Sequence, residues 1–168
     1  MSEAVVGLGS NLGERDAQLL QAVQALSRLP GLRIMGISSI YASAPETDAP
    51  DQSGGDAYHN MVVKVETEVS PAALLGACLG IEAAMGRMRR QRNEPRCIDL
   101  DLLLYEGVKN ESYELTLPHP RMLRRAFVLL PLKELYPAGR APGIFFEPYL
   151  KELQLTGVQK LDQRITME

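Results

Sequence analysis

The sequence predicts an α+β protein in which helices pack on an antiparallel sheet. Three observations carry that reading. Stretches that alternate apolar and polar residues are interleaved with stretches of helical period, and two strand-like stretches stand between the two best helices. Each stretch is short and ends at proline, glycine or a helix-capping residue, with no internal repeat or low-complexity tract. The 168 residues are 45% apolar and 23% charged, a globular balance. A chain of this length buries roughly two-thirds of its unfolded surface and needs no disulfide staples.

Residues 4–8 are apolar and read as a first strand. The turn GSNLGER follows, where Asn11 is placed to cap a helix and Glu14, three positions on, completes a capping-box-like pair. Leu19 or Leu20, Val23, Leu26 and Leu29 recur at helical spacing until Pro30 and Gly31 stop the helix. Residues 32–43, rich in Ile, Met and Ser and without helix caps, read as one strand of imperfect alternation. Residues 46–57, with four acids, a proline and two glycines, read as a loop. Residues 58–69 alternate, with Met61, Val63 and Val65 on one side and Tyr58, Asn60, Val62 and Lys64 on the other.

Ser70 as cap and Pro71 as first helical residue open a second helix. Its inward stripe is Leu74, Leu75, Cys78, Ile81, Glu82 and Met85, and Gly86 ends it. After an arginine-rich loop come a strand over 97–105, a turn over 106–110 and a short strand over 115–117. In PHPRMLRRAFVLLPLKELYP, Pro131 interrupts a helical run, so a helix is expected to begin or bend near it. The tail is less patterned, with a short helix over 148–155. The order strand, helix, strand, strand, helix, strand matches the ferredoxin-like, split βαβ arrangement: an antiparallel sheet with helices on one face. A single domain over 1–168 is expected, with a core of about 4–137 and an extension over 138–168. The arrangement hosts many functions and selects none.

Composition narrows the classes. No apolar stretch is long enough to span a bilayer and no basic-then-apolar leader opens the chain, so a cytoplasmic protein without a membrane partner is expected. Cys78 and Cys97 lack metal-like spacing, and with only His59 and His119 available a zinc site is not expected. The net charge of −3 argues against a general nucleic-acid binder, yet it conceals a local excess of arginine between Arg87 and Arg96.

That excess lies in GRMRRQRNEPRCIDLDLLLYEG, residues 86–107, where five arginines within ten positions precede two aspartates threaded through leucine. In a strand, positions i and i+2 share a face, so Asp99 and Asp101 project together, with Cα atoms about 6.5 Å apart. Adjacent carboxylates repel, a cost that a divalent cation removes. Hard oxygen donors suit Mg²⁺, which takes one or two carboxylates and fills its shell with water and substrate phosphates. Guanidinium forks supply two-pronged phosphate binding. Mg²⁺ with a polyphosphate explains both halves of the segment. A solvated strand face, wet at Asp99 and Asp101 and dry at Ile98, Leu100 and Leu102, explains them too, and these residues alone leave both readings open.

Four separated segments, VVGLGSNLGER, YHNMVV, IEAAMGRMRRQRNEPRCIDLDLLLYEG and LTLPHPRMLRRAFVLLPL, together resemble the 6-hydroxymethyl-7,8-dihydropterin pyrophosphokinase family of folate biosynthesis, in the family's order and across most of residues 4–137. The resemblance implies a ferredoxin-like fold and transfer of pyrophosphate from ATP to a pterin alcohol with release of AMP. It implies that Asp99 and Asp101 hold two Mg²⁺ ions on the ATP phosphates, and that Arg87 and Arg96 contact phosphate. Arg89, Arg90 and Arg92 then lie in a loop that closes over the nucleotide. His119 and Arg125 match nucleotide contacts, and Leu115, Thr116 and Ile98 match the adenine side, largely through backbone groups; without the family, His119 would read as a buttress of the PHPR turn. Tyr58 and Phe127 match an aromatic pair around the pterin, and Asn60 matches the amide that reads the pterin edge. Flat heteroaromatics favour stacked rings, and an amide offers donor and acceptor together. ATP and the pterin are the implied partners, with no obligate protein partner.

The chain also departs from the family pattern. It has no tryptophan, and Asn93 and Glu94 stand where some members carry one in the closing loop. Leu79 replaces a glutamine that contacts ATP in some members. Ser43, Ala44 and Glu46 replace a more apolar set around the pterin, and an acid beside that ring is tolerated only if exposed or paired. Pro120 stands where some members have tyrosine. Two rival readings follow: a non-catalytic nucleotide-binding homologue, and a ferredoxin-like RNA-binding module. The latter needs stacking aromatics on its central strands, where this chain has IDLDLLL.

Overall fold

A computed structural model describes residues 1–44, 57–86 and 97–167. The predicted loop over 46–57 and the arginine loop therefore lie outside the described residues, apart from Ala57 and Gly86.

β1 (Ser2–Ser10) leads into α1 (Arg15–Ser27), then β2 (Leu32–Ile37), β3 (Tyr41–Ser43) and β4 (Tyr58–Thr67). α2 (Pro71–Ala84) and β5 (Asp99–Tyr105) complete the predicted order. A small pair, β6 (Asn110–Glu111) and β7 (Thr116–Leu117), and a single 3-10 turn, Met122–Arg124, precede α3 (Ala126–Leu135). The tail adds the hairpin β8 (Arg140–Ala141) and β9 (Ile144–Phe145), then α4 (Glu147–Glu152) and β10 (Val158–Lys160). The main sheet runs β10-β3-β4-β1-β5, with β2 pairing β4 beyond β3, and every pairing is antiparallel. The chain is thus α+β with an antiparallel sheet and four helices among the described residues.

Alternation along the strands separates two cores. Ala4, Val6 and Leu8 of β1, Met61, Val63 and Val65 of β4, and Leu100 and Leu102 of β5 pack against Leu19, Val23 and Leu26 of α1 and Leu74, Cys78 and Ile81 of α2. Val5, Val62, Leu103 and Leu104 face the other way, onto Val128, Leu129 and Leu132 of α3 and onto Met122 and Phe146. Helices on one face alone were expected; α3 and the tail cover part of the second face as well. Fully buried leucines such as Leu19, Leu26, Leu74 and Leu129 each contribute about 1.5–3 kcal/mol by leaving water.

α2 begins as predicted: the Ser70 side chain accepts from the Ala73 N–H, Pro71 occupies the first turn, and Gly86, at φ +90°, follows the last turn in a backbone conformation that side chains other than glycine disfavour. Four local expectations need correction. The helix after GSNLGER starts at Arg15 with Glu14 at its N-cap and no side-chain cap bond, so Asn11, which is buried, does not cap it. The predicted strand over 32–43 is two strands separated at residues 38–40, where Ser38 turns its hydroxyl to accept from the Val62 N–H. α3 does not begin at Pro131; it begins at Ala126 and carries Pro131 inside it, with Val128, Leu129, Pro131 and Leu132 buried together. The tail, expected to hold only a short helix, also supplies the sheet's outer strand β10.

Candidate active site

Side chains directly opposite on paired strands share a face. The registers therefore align Lys160 of β10, Tyr41 of β3, Asn60 of β4, Gly9 of β1 and Asp99 of β5 in one row across five strands. The next row holds Val62, Gly7 and Asp101. Asp99 and Asp101 therefore lie on the α3 side of the sheet, half-buried, while Ile98, Leu100 and Leu102 fill the core beneath α1 and α2. Both acids face β1 where it has no side chain. With strands about 4.8 Å apart, Gly9 leaves a gap roughly 10 Å across, from Asn60 to Asp99.

The strand carrying the acids is held from behind. The Leu100 N–H, between them in sequence, donates to Glu82 Oε1 of α2 at 2.8 Å. Ser10 Oγ donates to the carbonyl of Cys97, and Cys97 Sγ donates to the Met85 carbonyl at 3.1 Å. The residues flanking the arginine loop, Met85 and Cys97, are thereby tied together. Cys78 is buried beneath this strand; burial, then the charges of Glu82 and Asp101, push its thiol up to about 12, so it stays protonated and unreactive.

Asn60 is almost fully buried, and its amide orientation is fixed. Nδ2 donates to Ser43 Oγ at 2.8 Å and, more weakly, to the Tyr41 carbonyl at 3.5 Å. A carbonyl only accepts, so the nitrogen must lie on that side and Oδ1 on the other. Oδ1 indeed faces Gly9: a Cβ built there would sit 3.2 Å from it and 3.9 Å from Tyr58 Cδ1. Tyr58 shares this face, two positions from Asn60, and is half-buried.

The approach to α3 lies on the same side. The His119 N–H donates to the Leu103 carbonyl at 2.8 Å, and its Nδ1 accepts from the Arg121 N–H at 3.2 Å. Its imidazole does buttress the PHPR turn, and that bond leaves the neutral tautomer's proton on Nε2. Burial first, then the guanidiniums of Arg125 and Arg121, lower its pKa to about 4 against the opposing pull of Asp99. The Arg125 guanidinium sits 5.4 Å from the centre of the half-buried Phe127 ring.

A histidine that binds fewer protons folded than unfolded loses stability as pH falls through its unfolded value near 6.5 toward about 4, and none further below. Thermal melts of the wild type should therefore drop between pH 7 and pH 5. In His119→Gln that drop should shrink, because the substituted chain has no proton to gain there. An unchanged drop would show that other groups carry it.

The remaining predicted contacts fall in different places. Ile98 and Leu115 are core residues, so only their main-chain groups can face a ligand. Thr116 is half-buried, with Oγ1 donating to the Ser112 carbonyl at 3.0 Å. Leu79 is exposed on α2, which packs on the opposite face from the acids. Ser43 is buried against Asn60, and Ala44 is exposed. Glu46, Arg87, Arg89, Arg90, Arg92 and Arg96 lie outside the described residues. Gly7 and Gly9 were not singled out from the sequence, although glycine inside a strand signals close approach of a ligand or another group.

Residues 5–137 match the model of the 7,8-dihydro-6-hydroxymethylpterin-pyrophosphokinase (HPPK) family. The chain belongs to that family. It is 41% identical over 162 residues to a Methylorubrum extorquens protein named 2-amino-4-hydroxy-6-hydroxymethyldihydropteridine pyrophosphokinase, covering 96% of this chain and 100% of that one. It is 40% identical over 134 residues to the Schizosaccharomyces pombe folic acid synthesis protein fol1, 80% of this chain but only 18% of that longer protein. A crystal structure described as HPPK-DHPS in complex with substrates has the same fold, with a TM-score of 0.66 at 15% identity over 89% of this chain. The chain spans 43% of that solved chain. Family membership agrees with the resemblance read from the four segments and decides against the RNA-binding module; the strand carrying IDLDLLL, expected to be central, lies at the edge of the sheet among the described residues.

The donor set fits a hard cation. Among the described residues no three His, Cys, Asp or Glu side chains cluster as metal ligands. Mg²⁺ does not need three; one or two carboxylates with water and phosphate oxygens suffice, and Asp99 and Asp101 offer that pair on one strand face. No helix among the described residues is long and apolar enough to cross a membrane.

Proposed function

We propose that this chain transfers the terminal pyrophosphoryl group of MgATP to the hydroxymethyl oxygen of 6-hydroxymethyl-7,8-dihydropterin, releasing AMP, as a step of folate biosynthesis. The observation that supports it best is the row that sets the Asn60 amide and Asp99 on either side of Gly9, with Asp101 beside Gly7 in the next row of the same sheet face. The sheet order, with β1 and β4 central and β5 and β2/β3 flanking them, favours a ferredoxin-like description. We take the chain to act as one pyrophosphokinase domain in the cytoplasm, with a core of about 4–137 and no obligate protein partner.

In this reading the pterin lies over Gly9 between Tyr58 and Phe127. Asn60 Oδ1 accepts from its N–H edge, with Ser43 holding the amide and Ala44 at the rim; Glu46 is a further pterin neighbour that the sequence suggests. Asp99 and Asp101 would hold two Mg²⁺ ions, which when bound neutralise charge on the ATP phosphates. The hydroxymethyl oxygen attacks the β-phosphorus in line; its bond to phosphorus forms as the bond from the β-phosphorus to the bridging oxygen of the α-phosphate breaks. The hydroxyl proton is lost and AMP departs with the bonding pair. No protein nucleophile is required. Arg125 and the Nε2–H of neutral His119 donate to phosphate oxygens, and Arg87, Arg89 and Arg96 are the further phosphate contacts that the sequence suggests. The main-chain groups of Ile98 and Leu115, with Thr116, serve the adenine, and Leu79 gives only apolar contact. Catalysis is then positioning and electrostatics.

The deciding assay is AMP release from MgATP with and without the pterin alcohol. Pterin-dependent AMP and the pterin diphosphate in equal amounts are expected. ATP consumed without pterin, or ATP bound with no turnover, would overturn the enzyme reading.

A further inference from the structure

We propose that Glu134, far along α3 from Phe127, is a positioning residue for pterin recognition: it holds β3 in the place from which β3 orients the Asn60 amide. The proposal rests on the function proposed above.

β3 is an unusual wall for a binding site. It has three residues, it follows a break in the strand at residues 38–40, and so few ladder bonds cannot fix its position alone. Yet both partners of Asn60 Nδ2, the Ser43 hydroxyl and the Tyr41 carbonyl, belong to it. What ties it to α3 is one carboxylate. Glu134 accepts from the Ser39 N–H at 3.3 and 3.2 Å, from Ser39 Oγ at 2.8 Å and from the Tyr41 hydroxyl at 2.7 Å. Tyr41 is therefore gripped twice: its hydroxyl by Glu134, its carbonyl by Asn60. Ser39 and Tyr41 are both nearly inaccessible, so removing their acceptor would strand donors in the protein interior.

The outer side of β3 is closed by the tail. Val158, Gln159 and Lys160 pair with Ser43, Ala42 and Tyr41, and the Leu161 N–H donates to the Ile40 carbonyl at 2.8 Å. Lys160 Nζ lies 3.8 Å from Glu134 Oε1, adding a weak ion pair to the same carboxylate. Burial acts to raise the Glu134 pKa, but the bonds from Tyr41 and Ser39 and the charge of Lys160 outweigh it and hold the group ionised. Glu134 thus ties α3, β3 and β10 together at the end of the row that begins at Asp99. Asp99 stands two strands beyond Asn60, with Gly9 between them, so loosening β3 acts on the amide before the acid pair.

Steady-state kinetics with each substrate varied in turn tests this. Wild-type AMP release must first prove pterin-dependent; if it does not, the proposed function fails and the Glu134 variants are not the cause. Given that activity, Glu134→Ala should raise the KM for the pterin about tenfold, the worth of one well-placed buried hydrogen bond, and leave kcat and the KM for MgATP within about twofold. Glu134→Gln keeps an acceptor oxygen for Ser39 and sets an amide N–H where the Tyr41 hydroxyl can accept, so both links to β3 persist and its pterin KM should stay near the wild-type value. A general loss of folding would instead lower kcat and spare neither substrate selectively. Should Glu134→Ala fail to fold, Tyr41→Phe removes one donor and leaves the Ser39 bonds; its pterin KM should rise about threefold with the same selectivity. An unchanged pterin KM in a folded variant, equal shifts for both substrates, or a glutamine variant as impaired as the alanine one overturns the proposal.

Discussion

Asp99→Ala and Asp101→Ala should each abolish pyrophosphoryl transfer and leave the protein folded. The two effects separate because the acids occupy half-buried positions, while the packing of their strand is carried by Leu100 and Leu102 on one face and by Leu103 and Leu104 on the other. Ile98, Leu100 and Leu102 are the residues that β5 buries under α1 and α2, and the Leu100 N–H, not an aspartate, anchors the strand to Glu82. Substitutions at partly exposed positions that leave the core packing intact usually move stability by no more than about 0.5 kcal/mol. Turnover should fall by at least about three orders of magnitude, since phosphoryl transfer depends on neutralising the phosphate charge. A second readout makes the reason visible. Wild-type protein should gain thermal stability from ATP with Mg²⁺ more than from ATP with EDTA, and either variant should lose that difference. Asp99→Ala should also let the His119 pKa fall further, because the charge of Asp99 opposes the burial and the guanidiniums there. A variant that unfolds without ligand would make its acid structural, and one that keeps the Mg²⁺-dependent shift would move the cation elsewhere.

Much of this site was legible because strand geometry forces it. Alternate positions must share a face, so the side of Asp99 and Asp101 followed once their leucine neighbours were taken as buried. The Ser70–Pro71 start of α2 was equally readable, because cap and first-turn preferences act within a few residues. What escaped is set by contacts distant in the chain. A bulge where β5 meets Val5 and Val6 lets Leu103 and Leu104 both face α3 and returns Tyr105 to the helix side, where its hydroxyl donates to the Val69 carbonyl. Simple alternation would have put Tyr105 beside the aspartates. β10 has no strong pattern of its own and is a strand because β3 offers it an open edge. Asn11 has a capping sequence around it, yet the helix starts later, and tertiary burial overrides the local preference. The role of Gly9 could be read only from its row, since a missing side chain has meaning only beside the ones that flank it.

Gly9→Val should remove pterin binding while the fold and MgATP binding persist. Gly9 does not adopt the left-handed backbone region that restricts side chains, and β-branched residues suit strands, so the backbone at this position accepts valine. The obstacle is lateral. Its Cβ alone would lie 3.2 Å from Asn60 Oδ1, and Asn60 cannot retreat freely because Ser43 and Tyr41 hold its nitrogen. Two further methyl groups would project into the gap between Asn60 and Asp99, the space that a flat ring must occupy to place its N–H edge against Oδ1. Gly9→Ala should therefore raise the pterin KM about tenfold, and Gly9→Val should cost at least about a hundredfold in pterin affinity, by the loss of buried hydrogen bonds together with steric exclusion. MgATP-induced thermal stabilisation should survive in both variants. Equal loss of nucleotide and pterin binding would mean that the phosphates cross Gly9, and undiminished pterin binding in the valine variant would mean that the ring lies off this row altogether; the gap between amide and acids would then have no part in recognition.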